Sequence, residues 1–102
     1  MVKNNMERKK TALGFAYYEF TDRYGKECSI QKSSMTVEDA IWFGVNKVDP
    51  QILASKVMEN GTGWVKYPIH PDVLLHARMH LTIDQVKELI PILQKFAVEG
   101  EI

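Results

Sequence analysis

His76, Arg78 and His80 stand two residues apart in the run Asp72–Leu81, and Thr82 follows it. Successive strand side chains alternate between faces, so these three share one. Gln85 follows Thr82 at the spacing of a capping box, in which the Thr hydroxyl accepts from the Gln85 amide and Gln85 reaches back. A helix N-terminus exposes free amides and carries roughly half a positive charge. An arginine and a histidine just upstream of such an end suit a phosphate or a carboxylate. The alternative is that Arg78 pairs with a neighbouring acid such as Asp84, the histidines being ordinary surface groups.

Three further groups could face a ligand. Ser29, Gln31 and Ser33 form a polar row along one face of a strand and offer neutral donors and acceptors for sugar hydroxyls or base edges. The same row also reads as a plain exposed strand face. Trp42 and Phe43 are adjacent, so they point to opposite faces. One belongs in the core, and the other is placed to stack on a planar ligand or to meet a second subunit. Asn46, which opens the turn Asn46–Pro50, joins the set as a ligand-binding candidate.

Catalytic and metal chemistry fare less well. On a strand, His76 and His80 would lie roughly 13 Å apart, too far to share a zinc ion. Cys28 shares a strand face with Ile30, as a buried structural thiol does, and no nucleophile signature surrounds it. Glu38 and Asp39 are adjacent loop carboxylates with no sign of an acid–base pair. Gly61 and Gly63 precede a strand-like Trp64–Tyr67, not a helix, so the dinucleotide fingerprint fails. The expectation is a binding protein rather than an enzyme, with no metal and no cofactor.

The elements that must position these residues follow from patterning. Asp72–Leu81 reads as a strand with Leu75, Ala77, Met79 and Leu81 on its apolar face. The helix from Thr82 to Glu99 repeats apolar residues at Val86, Leu89, Ile90, Leu93, Phe96 and Ala97. Pro91 should bend it, and Gly100 should stop it. Thr11–Thr21 reads as an aromatic-rich strand with apolar groups on both faces, and Asp22–Lys26 as a turn with Gly25. Glu27–Ser33 returns to complete a hairpin, and Ala40–Val45 is a short third strand. Gln51–Met58 stays open between a short helix starting at Pro50, a strand and a loop. These elements predict an α+β fold, an antiparallel sheet packed against a long C-terminal helix, in one domain over residues 13–102.

Composition sets outer limits. With 102 residues, one small domain is expected, of a size that often gains stability by oligomerising. Thirteen basic and thirteen acidic residues give zero net charge, which argues against general DNA binding but not against a local basic pocket. A single cysteine excludes an intrachain disulfide and fits a reducing cytoplasm. No apolar run approaches membrane-spanning length. Residues 1–12, rich in Lys3, Arg8, Lys9 and Lys10, read as a flexible basic tail without the apolar segment of a signal peptide.

Several stretches resemble a family of small phage-encoded proteins. They are Phe20–Gly25, Cys28–Ser34, Asp39–Val45, Arg78–Thr82 and Ile90–Phe96. The chain is similar, over roughly residues 14–102, to the first-described Thoeris anti-defence sponge family. That resemblance implies a non-catalytic protein of the infected bacterial cytoplasm. It would bind cyclic ADP-ribose isomers made by TIR-domain immune enzymes and hold them intact. It also implies a dimer with ligand at the subunit interface or a hexamer with further sites for cyclic trinucleotides. Under it, Arg78 and the Thr82 helix end would take a pyrophosphate, an aromatic platform the adenine, and Gln31 and Ser33 the ribose. The rivals are a phage inhibitor that blocks a host defence nuclease through exposed Ile92, Trp42 or Trp64, and a small hydrolase of the same signal.

Overall fold

A tight turn starts the fold. Asp22 Oδ1 accepts from the amides of Tyr24 and Lys26 at 2.8 and 2.9 Å, and Gly25 takes the left-handed conformation at φ 79°. This closes the hairpin of two strands that the sequence predicts. In the computed structural model, which describes residues 6–102, β1 is Glu7–Lys10, β2 Ala16–Thr21, β3 Glu27–Lys32 and β4 Ala40–Val45. β5 is Gln51–Leu53, β6 Trp64–Lys66 and β7 Arg78–Thr82, and the helix α1 spans Ile83–Glu99. The main sheet is antiparallel with strand order β1-β2-β3-β4-β7, so with α1 the chain has the expected α+β architecture.

The strands follow the sequence reading with two departures. Glu7–Lys10, assigned above to a flexible tail, is an edge strand paired with β2. Its four charged residues hide the strand pattern, and charge is what protects an exposed sheet edge from further pairing. Residues 1–5 of the expected tail lie outside the described residues. The strand expected to begin at Asp72 begins at Arg78, where its ladder to β4 starts with the pair Gly44–Arg78. The Thr11–Phe15 part of the first expected strand is a turn closed by Thr11, with Gly14 at φ 86°.

Register sorts the sheet into two faces. One carries Tyr17 and Glu19 of β2, Ser29 and Gln31 of β3, Trp42 and Gly44 of β4, and Arg78, His80 and Thr82 of β7. The other carries Tyr18 and Phe20, Cys28 and Ile30, Ile41, Phe43 and Val45, then Met79 and Leu81. On the second face the Phe20 and Phe43 rings meet edge to face at 6.3 Å. Cys28 is buried there, and burial raises its thiol pKa.

The helix begins directly where β7 ends. Thr82 Oγ1 accepts from the Gln85 amide at 3.2 Å and Gln85 Oε1 accepts from the Thr82 amide at 2.9 Å. The predicted capping box is therefore present, and Gly100 ends the helix at φ 73°. Val86 and Leu89 are half-buried near the start, whereas Ile90, Leu93 and Phe96 are 50–56% exposed. Beside the junction is a cavity of about 310 Å³, lined by Ile41, Leu81, Ile83 and Val86 and rimmed by Lys32 and Asp39. Those last two form an ion pair at 2.6 Å.

Residues Lys47–Ala77 form a second compact unit, distinct from the one that holds the main sheet and α1. In it β5 and β6 pair antiparallel, and a turn of 3-10 helix, Ala54–Lys56, follows β5. The ambiguous stretch after Pro50 is thus part strand and part helical turn. Gly61 sits so close to Ala54 that a Cβ there would lie 2.7 Å from the Ala54 carbonyl.

Candidate functional site

The polar face brings together six of the seven predicted ligand-binding residues in one bonded cluster. Arg78 Nη1 donates to Gln31 Oε1 at 2.9 Å and to Ser29 Oγ at 3.3 Å. Ser29 in turn donates to Asn46 Oδ1 at 2.6 Å. His80 Nε2 and Ser33 Oγ are 2.9 Å apart, and Ser33 Oγ also accepts from the Met35 amide. The His80 ring lies flat on the Trp42 indole, 3.8 Å between centroids and 6° between planes. The Arg78 guanidinium sits 5.5 Å from the centre of the same indole, a cation–π distance. Between Trp42 and Phe43, then, it is Trp42 that joins the ligand-like face and Phe43 that takes the apolar one.

One residue makes this cluster possible that sequence reasoning did not single out. Arg78 belongs to β7 and its partners Ser29 and Gln31 to β3, with β4 in between. The β4 residue in register with both Arg78 and Ser29 is Gly44. Having no side chain, Gly44 leaves the path across β4 open to the guanidinium. Its φ of 146° is also one that L side chains rarely adopt. The signal was available, since a glycine inside an apolar strand marks close approach by another group.

Thr82 is the seventh residue. It lies two places beyond His80 on the same face, but its hydroxyl is committed to the capping box. Of the residues expected to meet an anion, Arg78 is thus the one with donors left open. Both Nη1 partners are neutral, so they leave the guanidinium charge uncompensated, and Nη2 and Nε have no hydrogen-bond partner among the described residues. Burying such a charge half-way without an acid is costly unless a ligand or water answers it. Glu19, the acid on this face, is held instead by Lys9 at 2.7 Å. That contact raises the Lys9 pKa, first through the hydrogen bond and then through the charge of Glu19.

The arrangement has the parts for holding a planar, anionic, hydroxyl-bearing molecule. It offers a stacked π surface ending in His80 on an edge strand, a guanidinium with open donors, and a row of neutral amide and hydroxyl groups. Cys28 is not part of it, being buried on the opposite face, and the hydroxyls it holds are those of Ser29 and of Ser33, which lies 2.9 Å from His80 Nε2. The 310 Å³ cavity is not part of this cluster: none of Arg78, His80, Trp42 or Gln31 lines it. Among the described residues, no group of three or more His, Cys, Asp or Glu side chains is placed to hold a metal ion, and no helix is long and apolar enough to cross a membrane. No protein-family model matches the chain, and no significant match is found among curated proteins or solved structures.

Proposed function

We propose that the polar sheet face binds a nucleotide-type signalling molecule of the cyclic ADP-ribose class and sequesters it without converting it. The observation that carries this reading is the half-buried Arg78, presented by the neutral Gln31 and Ser29 beside the Trp42–His80 stack. A pyrophosphate answers the open Nη2 and Nε donors. A purine extends the stack from His80, and base–aromatic stacking contributes about 1–3 kcal/mol per base. Ribose hydroxyls find partners in Ser33, Gln31 and Asn46. In this role the protein is an anti-defence sponge that lowers the free concentration of an immune signal.

The test is capture and release. Protein is mixed with cyclic ADP-ribose isomers and cyclic oligonucleotides and freed of unbound ligand. It is then heat-denatured, and the released material is weighed by mass spectrometry. Intact ligand is the expected result, and Arg78→Ala should weaken retention by about 10- to 100-fold while the protein stays folded, as loss of a charged hydrogen bond does. A chemically altered ligand would instead identify a hydrolase. A second reading, inhibition of a host nuclease by contact, rests on Trp64, which is 64% exposed in the Lys47–Ala77 unit. It predicts no captured ligand and loss of inhibition in Trp64→Ala.

A further inference from the structure

The edge strand β1 adds two charges to the side of the sheet that carries Arg78. Glu7 stands opposite Glu19, and Lys9 stands opposite Tyr17. Glu7, Glu19, Ser29, Gly44 and Arg78 thereby form one row across all five strands. Because Gly44 has no side chain, the Arg78 guanidinium reaches along this row as far as Ser29, 3.3 Å from its Oγ. Glu19 is the next residue in the row. Opposed residues of antiparallel strands have Cα atoms about 5 Å apart, and a glutamate side chain spans such a gap. What keeps this acid off the guanidinium is another partner: Glu19 Oε2 accepts from Lys9 Nζ at 2.7 Å.

Taking Arg78 as the anion-binding group proposed above, we infer that Lys9 is a positioning residue for it. Lys9 holds Glu19 towards β1. Without that hold, the Glu19 carboxylate turns onto Arg78 and takes the place of the ligand's phosphate, because carboxylate and phosphate use the same guanidinium donors. Glu7 supplies the direction. It faces Glu19 across the β1–β2 pair, and like charges directly opposite repel. The Lys9 ammonium answers that repulsion. Its pKa is raised first by the Glu19 hydrogen bond, then by the charge of Glu19, with Glu7 adding to it. Once the ammonium is removed, Glu19 is pushed from Glu7 towards Ser29 and the guanidinium beside it.

Position singles out Glu19 among the nearby acids. Glu27 lies two residues along β3 from Ser29. Arg78 Nη1 bonds both Ser29 and Gln31, so the guanidinium sits on the side of Ser29 away from Glu27. The side chains of Lys9 and Glu19 are both 43% exposed. An exposed pair is weak, so one charge is enough to shift the balance between the two cations that Glu19 can meet. The exchange needs side-chain rotations alone and leaves the strand pairing as it is. In this way β1, a charged edge strand two strands away from the Ser29 end of Arg78, sets whether the anion position is open.

Inorganic pyrophosphate is the probe, titrated into the full chain while the Arg78 Nε–Hε NMR signal is followed. Lys9→Met keeps the aliphatic stem and removes the charge. It should bring NOEs between the Arg78 guanidinium protons and the Glu19 side chain, and weaken pyrophosphate binding about 3- to 10-fold. Adding Glu19→Gln to Lys9→Met should restore binding. Adding Glu27→Gln instead gives the same net charge and should not. Lys9→Arg keeps the charge and should bind as the unmodified chain does. Unchanged binding in Lys9→Met, no Arg78–Glu19 NOE in it, or equal rescue by Glu27→Gln, as a general charge effect would give, would each overturn the inference. If the unmodified chain does not bind pyrophosphate at Arg78, the anion-site reading falls, and the NOEs in Lys9→Met still decide whether Lys9 keeps Glu19 off Arg78.

Discussion

The two faces of the main sheet are built from alternate residues of the same strands, yet they end in opposite conditions. On the polar face, Arg78, Gln31, Ser29, Asn46, His80 and Ser33 are joined by hydrogen bonds within the chain. On the apolar face, the Phe20–Phe43 contact is made, but Met79 and Tyr18 remain open. Hydrogen bonds are short-range and directional, and neighbouring strands satisfy them at once. Hydrophobic burial needs a second layer, and along α1 Ile90, Leu93 and Phe96 remain half or more exposed. The difference teaches that hydrogen bonds organise the polar face within the chain, whereas the apolar face stays half-exposed.

Breaking the polar face without touching the apolar one is the largest effect expected. Gly44→Val fills the path by which Arg78 crosses β4 and forces a branched side chain onto φ 146°. It should destabilise the fold by about 1–3 kcal/mol and reduce ligand capture as far as Arg78→Ala does. Denaturant titration and the capture assay read the two effects separately, and preserved capture would mean that Arg78 does not need this route.

The junction between the faces is next. Thr82→Ala removes the N-cap and should cost about 1 kcal/mol, read as a lower urea midpoint. An unchanged urea midpoint would mean that the two cap bonds at Thr82 and Gln85 do not hold the start of α1.

The smallest effect lies at the rim of the cavity. The Lys32 ammonium, by hydrogen bond and charge, holds the Asp39 carboxyl below its ordinary pKa. A depressed folded-state pKa contributes stability that is present above the unfolded value, about pH 3.9, and is lost as pH falls through the folded one. The pair is exposed, so water screens it and the contribution is slight. Asp39→Asn should therefore leave neutral-pH stability almost unchanged and slightly flatten the acid limb of a thermal melt followed against pH. A large loss at neutral pH would mean that the pair is shielded by a covering partner.

Much of this was legible from residue order. The Thr82–Gln85 box, the Gly100 stop, the hairpin at Asp22–Lys26 and the strand Ala40–Val45 are local patterns, and each stands where its residues dictate. The polar row of β3 and the Arg78–His80 spacing were legible as faces, because alternation is a property of the strand alone. What met what was not. That Gln31 faces Arg78 depends on strand order and on the gap at Gly44, both non-local. Glu7–Lys10 carried no apolar alternation, and residues 72–77 carried one without a partner strand to use it. The helix stripe was plain in the sequence, but its surroundings in the fold were not.

The most direct test of the polar face as the binding surface is residue-by-residue chemical-shift mapping during titration with the captured cyclic nucleotide. The account predicts shifts at Ser29, Gln31, Ser33, the Trp42 indole, Arg78 and His80, with Phe20, Ile30, Phe43 and Met79 unmoved. Shifts concentrated on those four apolar-face residues, or none at saturating ligand, would contradict it.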